Sequence, residues 1–205
     1  MTTITQATTR TLDAPGAMLT YDVRPGTSRD DIPLFLIGSP MGAAGFASLA
    51  SHFADRTIVT YDPRGAERST KDDPSTESNP DQHADDLHRI IQEVGGPVDL
   101  FASSGGAVNA LALVAKHPED VRTLVAHEPP LASVLPDSEN AKAAVRAISD
   151  SYQKGGFGTG MAHFMSITSH RGPFPDDVGQ QPAPDPAMFG MPTEDDGTRT
   201  DVMLA

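Results

Sequence analysis

A chain of 205 residues is long enough to fill one good core, and its formal net charge of -13 argues against nucleic acid and anionic membranes as partners, since both attract basic surfaces. With no cysteine, disulfides, thiolate metal sites and a cysteine nucleophile are excluded. The first twenty residues lack a basic start and an apolar run, so neither a secretion signal nor a membrane helix is expected there, and the cytoplasm is the default compartment.

In chain order, Thr11 to Arg24 gives two short alternating runs split by Ala14-Pro15-Gly16, which predicts an antiparallel hairpin. An apolar strand at Pro33 to Ile37 runs into a glycine-rich loop. Phe46, Leu49 and Phe53 then mark one helical face, and Asp55 begins the turn out of it. A further strand starts at Ile58. Asn79-Pro80 is a cap followed by proline at the first helical position, after which Ala84, Leu87, Ile90, Ile91 and Val94 form an apolar stripe that Gly95-Gly96-Pro97 ends. His83 and His88, five residues apart, and His117, in a Lys-His-Pro-Glu turn, read as surface residues. Residues 98 to 118 give a short apolar strand, a glycine-rich turn holding Ser104 and an apolar helix, and Val121 to Ala126 is the next strand. Strands alternating with helices predict a mostly parallel sheet with helices on both faces and a site at the strands' C-terminal ends.

Ala102-Ser103-Ser104-Gly105-Gly106 is close to G-x-S-x-G, with alanine for the first glycine. A strand that breaks sharply into a helix lifts one hydroxyl clear of the backbone and leaves amide N–H groups beside it to bind an anion. Spacing to Gly106 selects Ser104 over Ser103. This segment resembles the α/β-hydrolase family, and two more stretches agree in order and spacing. Ile37-Gly38-Ser39-Pro40-Met41-Gly42 is similar to the family's oxyanion loop. Ile58 to Ser69, with Tyr61-Asp62-Pro63-Arg64-Gly65, is similar to the segment after its fourth strand, with Glu67 at the second glycine. The resemblance implies a three-layer α/β/α sandwich of α/β-hydrolase type over residues 1–135. It implies Ser104 as nucleophile, with oxyanion N–H donors from Gly105 and Ser39. Asp62 and Arg64 are then structural, tying loops together.

After Pro130 the character changes. Residues 138 to 153 predict an amphipathic helix, followed by a Gly-rich run at 155–160 and a proline-rich stretch from 173 to 192. In the resembled family a cap follows the sixth strand, so residues 136–205 are expected to be a partial cap. Thr200-Asp201 reads as a helix cap near the end of the sequence, and the chain is expected to lack the family's last two strands and its catalytic histidine. That would leave Val121 to Ala126 as an open sheet edge, prone to self-association.

Chemistry at Ser104 needs a base within hydrogen-bond reach and a group to orient it. His127 and Glu128 end the strand that should neighbour the one carrying Ser104, so His127 is a candidate base and Glu128 a candidate acid. Against a role at Ser104, successive strand residues point to opposite faces. His163 and His170 would stand roughly 10 Å apart along a helix, too far to share an ion, so they read as solvated or pocket-lining, and neither a cofactor nor a metal is expected. Met161, Met165, Met188, Met191 and Met203 with Phe157, Phe164, Phe174 and Phe189 suit a lid over a small apolar or acyl-bearing substrate. The resemblance thus implies a serine hydrolase of esters or similar acyl bonds. The alternative is a catalytically inactive remnant or small-molecule binding module that lacks the catalytic histidine.

Overall fold

A computed structural model describes residues 6–28 and 32–197, so the expectations placed on Thr200-Asp201 and on Met203 lie outside the described residues. The chain forms two compact units, one through Pro130 and one from Leu131 onward.

The first unit is a seven-stranded mixed sheet. Strands β1 (Thr8–Ala14) and β2 (Ala17–Arg24) make the expected hairpin, with Gly16 at φ 74° in the turn. Next come β3 (Leu34–Ser39), a 3-10 turn at Ala43–Phe46 and α1 (Ala47–Ser51). After these stand β4 (Ile58–Asp62), the two-residue β5 (Thr70–Lys71) and α2 (Pro80–Val94). The unit closes with β6 (Val98–Ser104), α3 (Gly105–Lys116) and β7 (Val121–His127). The strand order is β1-β2-β4-β3-β6-β7, with β5 also paired to β2. β3, β4, β6 and β7 run parallel, and β1, β2 and β5 form the antiparallel part.

Helix α2 begins as its residues dictate. The Asn79 side chain accepts the Gln82 N–H at 2.9 Å, Gln82 Oε1 accepts the Asn79 N–H at 3.2 Å, and Gly95 closes the helix at φ 84°. Its stripe of Ala84, Leu87, Ile90 and Ile91 is wholly buried, with Ala107, Ala110 and Leu113 of α3, against Leu19, Phe35, Val59, Tyr61 and Leu100 of the sheet. On the opposite face Phe46, Leu49, Ala50 and Phe53 pack against Leu34, Leu36, Ile58 and Phe101. The sheet is therefore the middle of three layers.

Strand β7 pairs with β6 alone among the described residues, and Val125 is 51% exposed. The ladder between them has one irregularity. Val98 faces Val121 and Asp99 faces Thr123, so Arg122 is the extra residue. Its guanidinium turns to Asp99, with Nε–H donating at 2.8 Å, while Arg56 donates to the same carboxylate at 2.7 Å. These bonds hold the Asp99 carboxyl down at about 2.

In the second unit a 3-10 turn at Ala132–Val134 leads to α4 (Ser138–Thr168), which is broken at Gly156, φ 76° and ψ -169°. The first half is the expected helix. The second half falls on the glycine-rich run, where the sequence predicts no helix. A Cβ on Gly158 would stand 1.8 Å from the Pro192 carbonyl oxygen, so the helix keeps glycine there to let the returning chain lie against it. That return is tied at its start by the Asp137 carboxylate, which accepts the Phe174 N–H at 2.7 Å, and by Asn140, which donates to the Phe174 carbonyl at 2.9 Å.

Candidate active site

The sharpest local feature of the first unit lies at the C-terminal end of β6. Ser104 has φ 56° and ψ -128°, a conformation L-residues avoid, where strand passes directly into helix α3. Apolar residues on both sides commit the chain to a central strand and a packed helix, and the turn between them absorbs the mismatch.

Two close approaches fix this turn against β3. Residues Ser39 and Ser104 are register partners, as are Gly38 and Ser103. A Cβ on Gly106 would lie 2.7 Å from Gly38 Cα, so the two backbones touch with no room for a side chain. A Cβ on Gly105 would meet the Ser39 carbonyl oxygen at 2.9 Å. The residues expected to supply the two oxyanion donors are therefore neighbours beside the Ser104 turn, with Ser39 buried and Ser104 exposed.

Supporting loops come from the β4 end. Asp62 is 2% exposed; its carboxylate accepts the Ala43 N–H at 2.8 Å and Arg68 Nε–H at 2.6 Å, tying the loop after β3 to the loop after β4. Arg64 forms a two-bond fork to Asp86 of α2, at 2.7 and 2.6 Å, in the buried interior. Both thus act as structural ties, as the sequence suggests. Burial is the leading influence on Asp86 and pushes its carboxyl up, with Arg64 pulling the other way. Glu67, at the position where the resembled motif carries glycine, adopts φ 49°, the left-handed backbone a glycine would take freely.

The structure brings His127 to Ser103 rather than to Ser104. Ser103 and His127 are register partners on β6 and β7, and Ser103 Oγ meets His127 Nδ1 at 3.4 Å. The His127 ring also stacks on Phe101. Glu128 has φ 51° at the end of β7, and its exposed carboxylate lies 4.0 Å from His127 Nδ1. Among the described residues no side chain hydrogen-bonds to Ser104.

The remaining histidines depart from their surface reading in part. His83 is 5% exposed within α2, its Nδ1 has no partner among the described residues, and burial, with Arg64 and Lys71 adding to it, lowers its pKa to about 4. Its spacing to Leu87 and Ile90 places it on the helix's buried stripe, the signal that could have found it. In the second unit His163 is buried, with Ser151 Oγ at 2.7 Å, whereas His170 is exposed and stacks on Phe174.

A parallel sheet entered by a hairpin, with a strained serine between a central strand and its helix and a glycine loop packed on that turn, defines a hydrolase-type scaffold. The chain belongs to the alpha/beta hydrolase fold family, whose model it matches over residues 34–177. It is 37% identical over 131 residues to an uncharacterized hydrolase, YraK, of Bacillus subtilis (strain 168), a match covering 63% of this chain and 47% of that protein. The chain thus matches about half the length of this relative. Among solved structures it resembles MGS-M2, an alpha/beta hydrolase from a Medee basin deep-sea metagenome library, with TM-score 0.59, 14% identity, 76% of this chain and 55% of that one. A putative epoxide hydrolase from Pseudomonas aeruginosa gives TM-score 0.58 at 19% identity, over 79% of this chain and 57% of that one. The N-acyl homoserine lactonase AidH gives 0.51 at 20% identity, over 58% and 44%. At these identities the structural likeness concerns the fold. No helix among the described residues is long and apolar enough to cross a membrane.

Proposed function

We propose that the protein is a serine hydrolase that cleaves an ester or similar acyl bond through an acyl-enzyme on Ser104. The observation that carries this reading is the φ 56° backbone of Ser104 at the β6–α3 junction, with Gly105 against Ser39. Ser104 Oγ attacks the carbonyl carbon, the carbonyl oxygen takes the negative charge, and the Ser39 and Gly105 N–H groups receive it. Such preorganised donors are worth about 2.7–4 kcal/mol each. The Ser104 hydroxyl proton passes through solvent water to the leaving oxygen as the carbonyl–oxygen bond breaks, so an alcohol departs, and a second water attacks the ester on Ser104, releasing the carboxylic acid and restoring the hydroxyl. Glu128, strained at the neighbouring strand end, is assigned the acid's place, and the ring of His127 lies beside Ser103. The substrate class we assign to it is a small apolar or acyl-bearing compound.

The absence of a histidine on Ser104 among the described residues favours a second reading, a small-molecule binding module without turnover. One experiment separates the two. The chain is incubated with p-nitrophenyl acetate and its acylated residues are mapped by mass spectrometry. With no base on Ser104 among the described residues, deacylation by this chain should be slow, so the acetyl group is expected to accumulate on Ser104 and to be missing in Ser104→Ala, while His127→Ala still acquires it. An adduct on Ser103 instead, or saturable binding of an alkyl ester with no Ser104 adduct, would refute the hydrolase reading.

A further inference from the structure

The N-terminal ends of β6 and β7 lie at the opposite end of the strands from Ser104, and there three ligating side chains meet from separate elements. His88 lies on α2, His117 ends α3, and Asp120 lies in the 3-10 turn at Pro118–Asp120 that leads into β7. One ligand atom from each can be chosen so that all lie within 4.8 Å of one another. The Asp120 carboxylate is 2% exposed, with Oδ2 at 2.6 Å from His88 Nδ1 and Oδ1 accepting Gln92 Nε2–H at 3.0 Å. The two imidazoles lie face to face, ring centroids 3.9 Å apart and 14° from parallel.

This is an unusual way to spend a buried carboxylate and two histidines. Each ring faces a carboxylate: Asp120 for His88, and Asp85 and Glu119, at 3.9 and 3.8 Å, for His117. Lys116 pairs with that same Asp85 carboxylate at 2.5 Å. The carboxylates of Asp85, Glu119 and Asp120 thus converge on two stacked imidazoles. A divalent ion would meet that negative charge at one point.

We propose that His88, His117 and Asp120 form a binding site for a borderline divalent transition metal of the zinc, cobalt or nickel type, with water completing the shell. Two imidazoles and one carboxylate suit those ions, whereas calcium and magnesium prefer all-oxygen sets. To accept the ion, His88 moves its proton from Nδ1 to Nε2 and gives up its hydrogen bond to Asp120. The rings rotate apart from their parallel stack so that their lone pairs converge. Gln92 keeps its bond to the other Asp120 oxygen and so orients the ligating carboxylate. The bound ion would pin α2 to the turn between α3 and β7, a structural clamp remote from the hydrolytic serine. Metal and proton compete for the ring nitrogens, so affinity falls as pH is lowered.

Cobalt(II) titration of the full chain, followed by its visible absorption, with zinc(II) as competitor, tests this. Saturation at one ion per chain is expected. His88→Gln and His117→Gln should each weaken binding by about 10-fold or more and Gln92→Ala by about 10-fold, while His52→Gln and His170→Gln leave it unchanged. In the unmodified chain, cobalt should shift or broaden the ring proton signals of His88 and His117 before those of His52 and His170, a readout that needs no variant to fold. No saturable uptake, uptake undiminished in both cluster variants, or first broadening at His52 or His170 would overturn the site.

Discussion

Replacing Gly106 by alanine probes the contact on which the candidate site is built. The added Cβ would lie 2.7, 2.8 and 3.0 Å from Gly38 Cα, C and N. Carbon atoms rest at about 3.5–4.0 Å, so α3 and β3 must separate by about 1 Å, and both are packed centrally in the first unit. Overfilling of this kind costs about 1–3 kcal/mol, and the better helix propensity of alanine returns less than about 1 kcal/mol. A net loss of about 1–2 kcal/mol corresponds to a fall in melting temperature of roughly 2–8 °C for a chain of this size. The same movement carries the Gly105 N–H away from Ser39, and a displacement of about 1 Å in a reacting constellation lowers rate about 100-fold. Thermal melting by circular dichroism and the rate of Ser104 acylation measure the two effects. Gly106→Ala that melts with the parent and acylates at the parent rate would show that the approach of Gly38 to Gly106 does not set the site.

Two further outcomes concern the interior. Arg64→Met leaves the Asp86 carboxylate buried without its partner and should lower urea stability by about 3–5 kcal/mol, whereas the double change Arg64→Met, Asp86→Leu recovers most of it; equal losses in both would show that the pair is not what matters. His83 is held neutral by burial, its pKa lowered from 6.5 to about 4, so the unfolded chain binds the proton first and stability falls as pH drops from about 6.5 toward 4, by up to about 3 kcal/mol. His83→Leu should flatten that part of the urea stability profile, and a slope unchanged in the variant would refute the assignment.

Much of the first unit is legible in the sequence because local and distant demands agree there. Asn79 with Gln82, the stripe from Ala84 to Ile91 and Gly95 each specify one boundary or face of α2, and the apolar runs flanking Ser103-Ser104-Gly105-Gly106 leave only a strand-to-helix turn. Strand alternation also foretells that His127 and Ser104 need not share a face. What the residues alone do not give is contact between distant segments. His88 and His117 look solvated in isolation, and only the packing of α2 beside α3 stacks them. The second half of α4 is unreadable for another reason. Glycine ordinarily weakens a helix by about 1 kcal/mol, and the gain that offsets it, the seating of Pro192 on Gly158, comes from a residue far along the chain.

The extra residue Arg122 sits at the end of the β6–β7 ladder away from the serine, and from Asp99 onward each pairing runs without a break. A residue inserted between Asp99 and Ser104 would advance the hydroxyl by about 3.3 Å and turn every later side chain of the strand to the other face. The same insertion beside Arg122 would only enlarge an existing bulge. The ladder therefore has a tolerant end and an intolerant one, and a single residue added beside Arg122 should leave the Ser104 turn as it is.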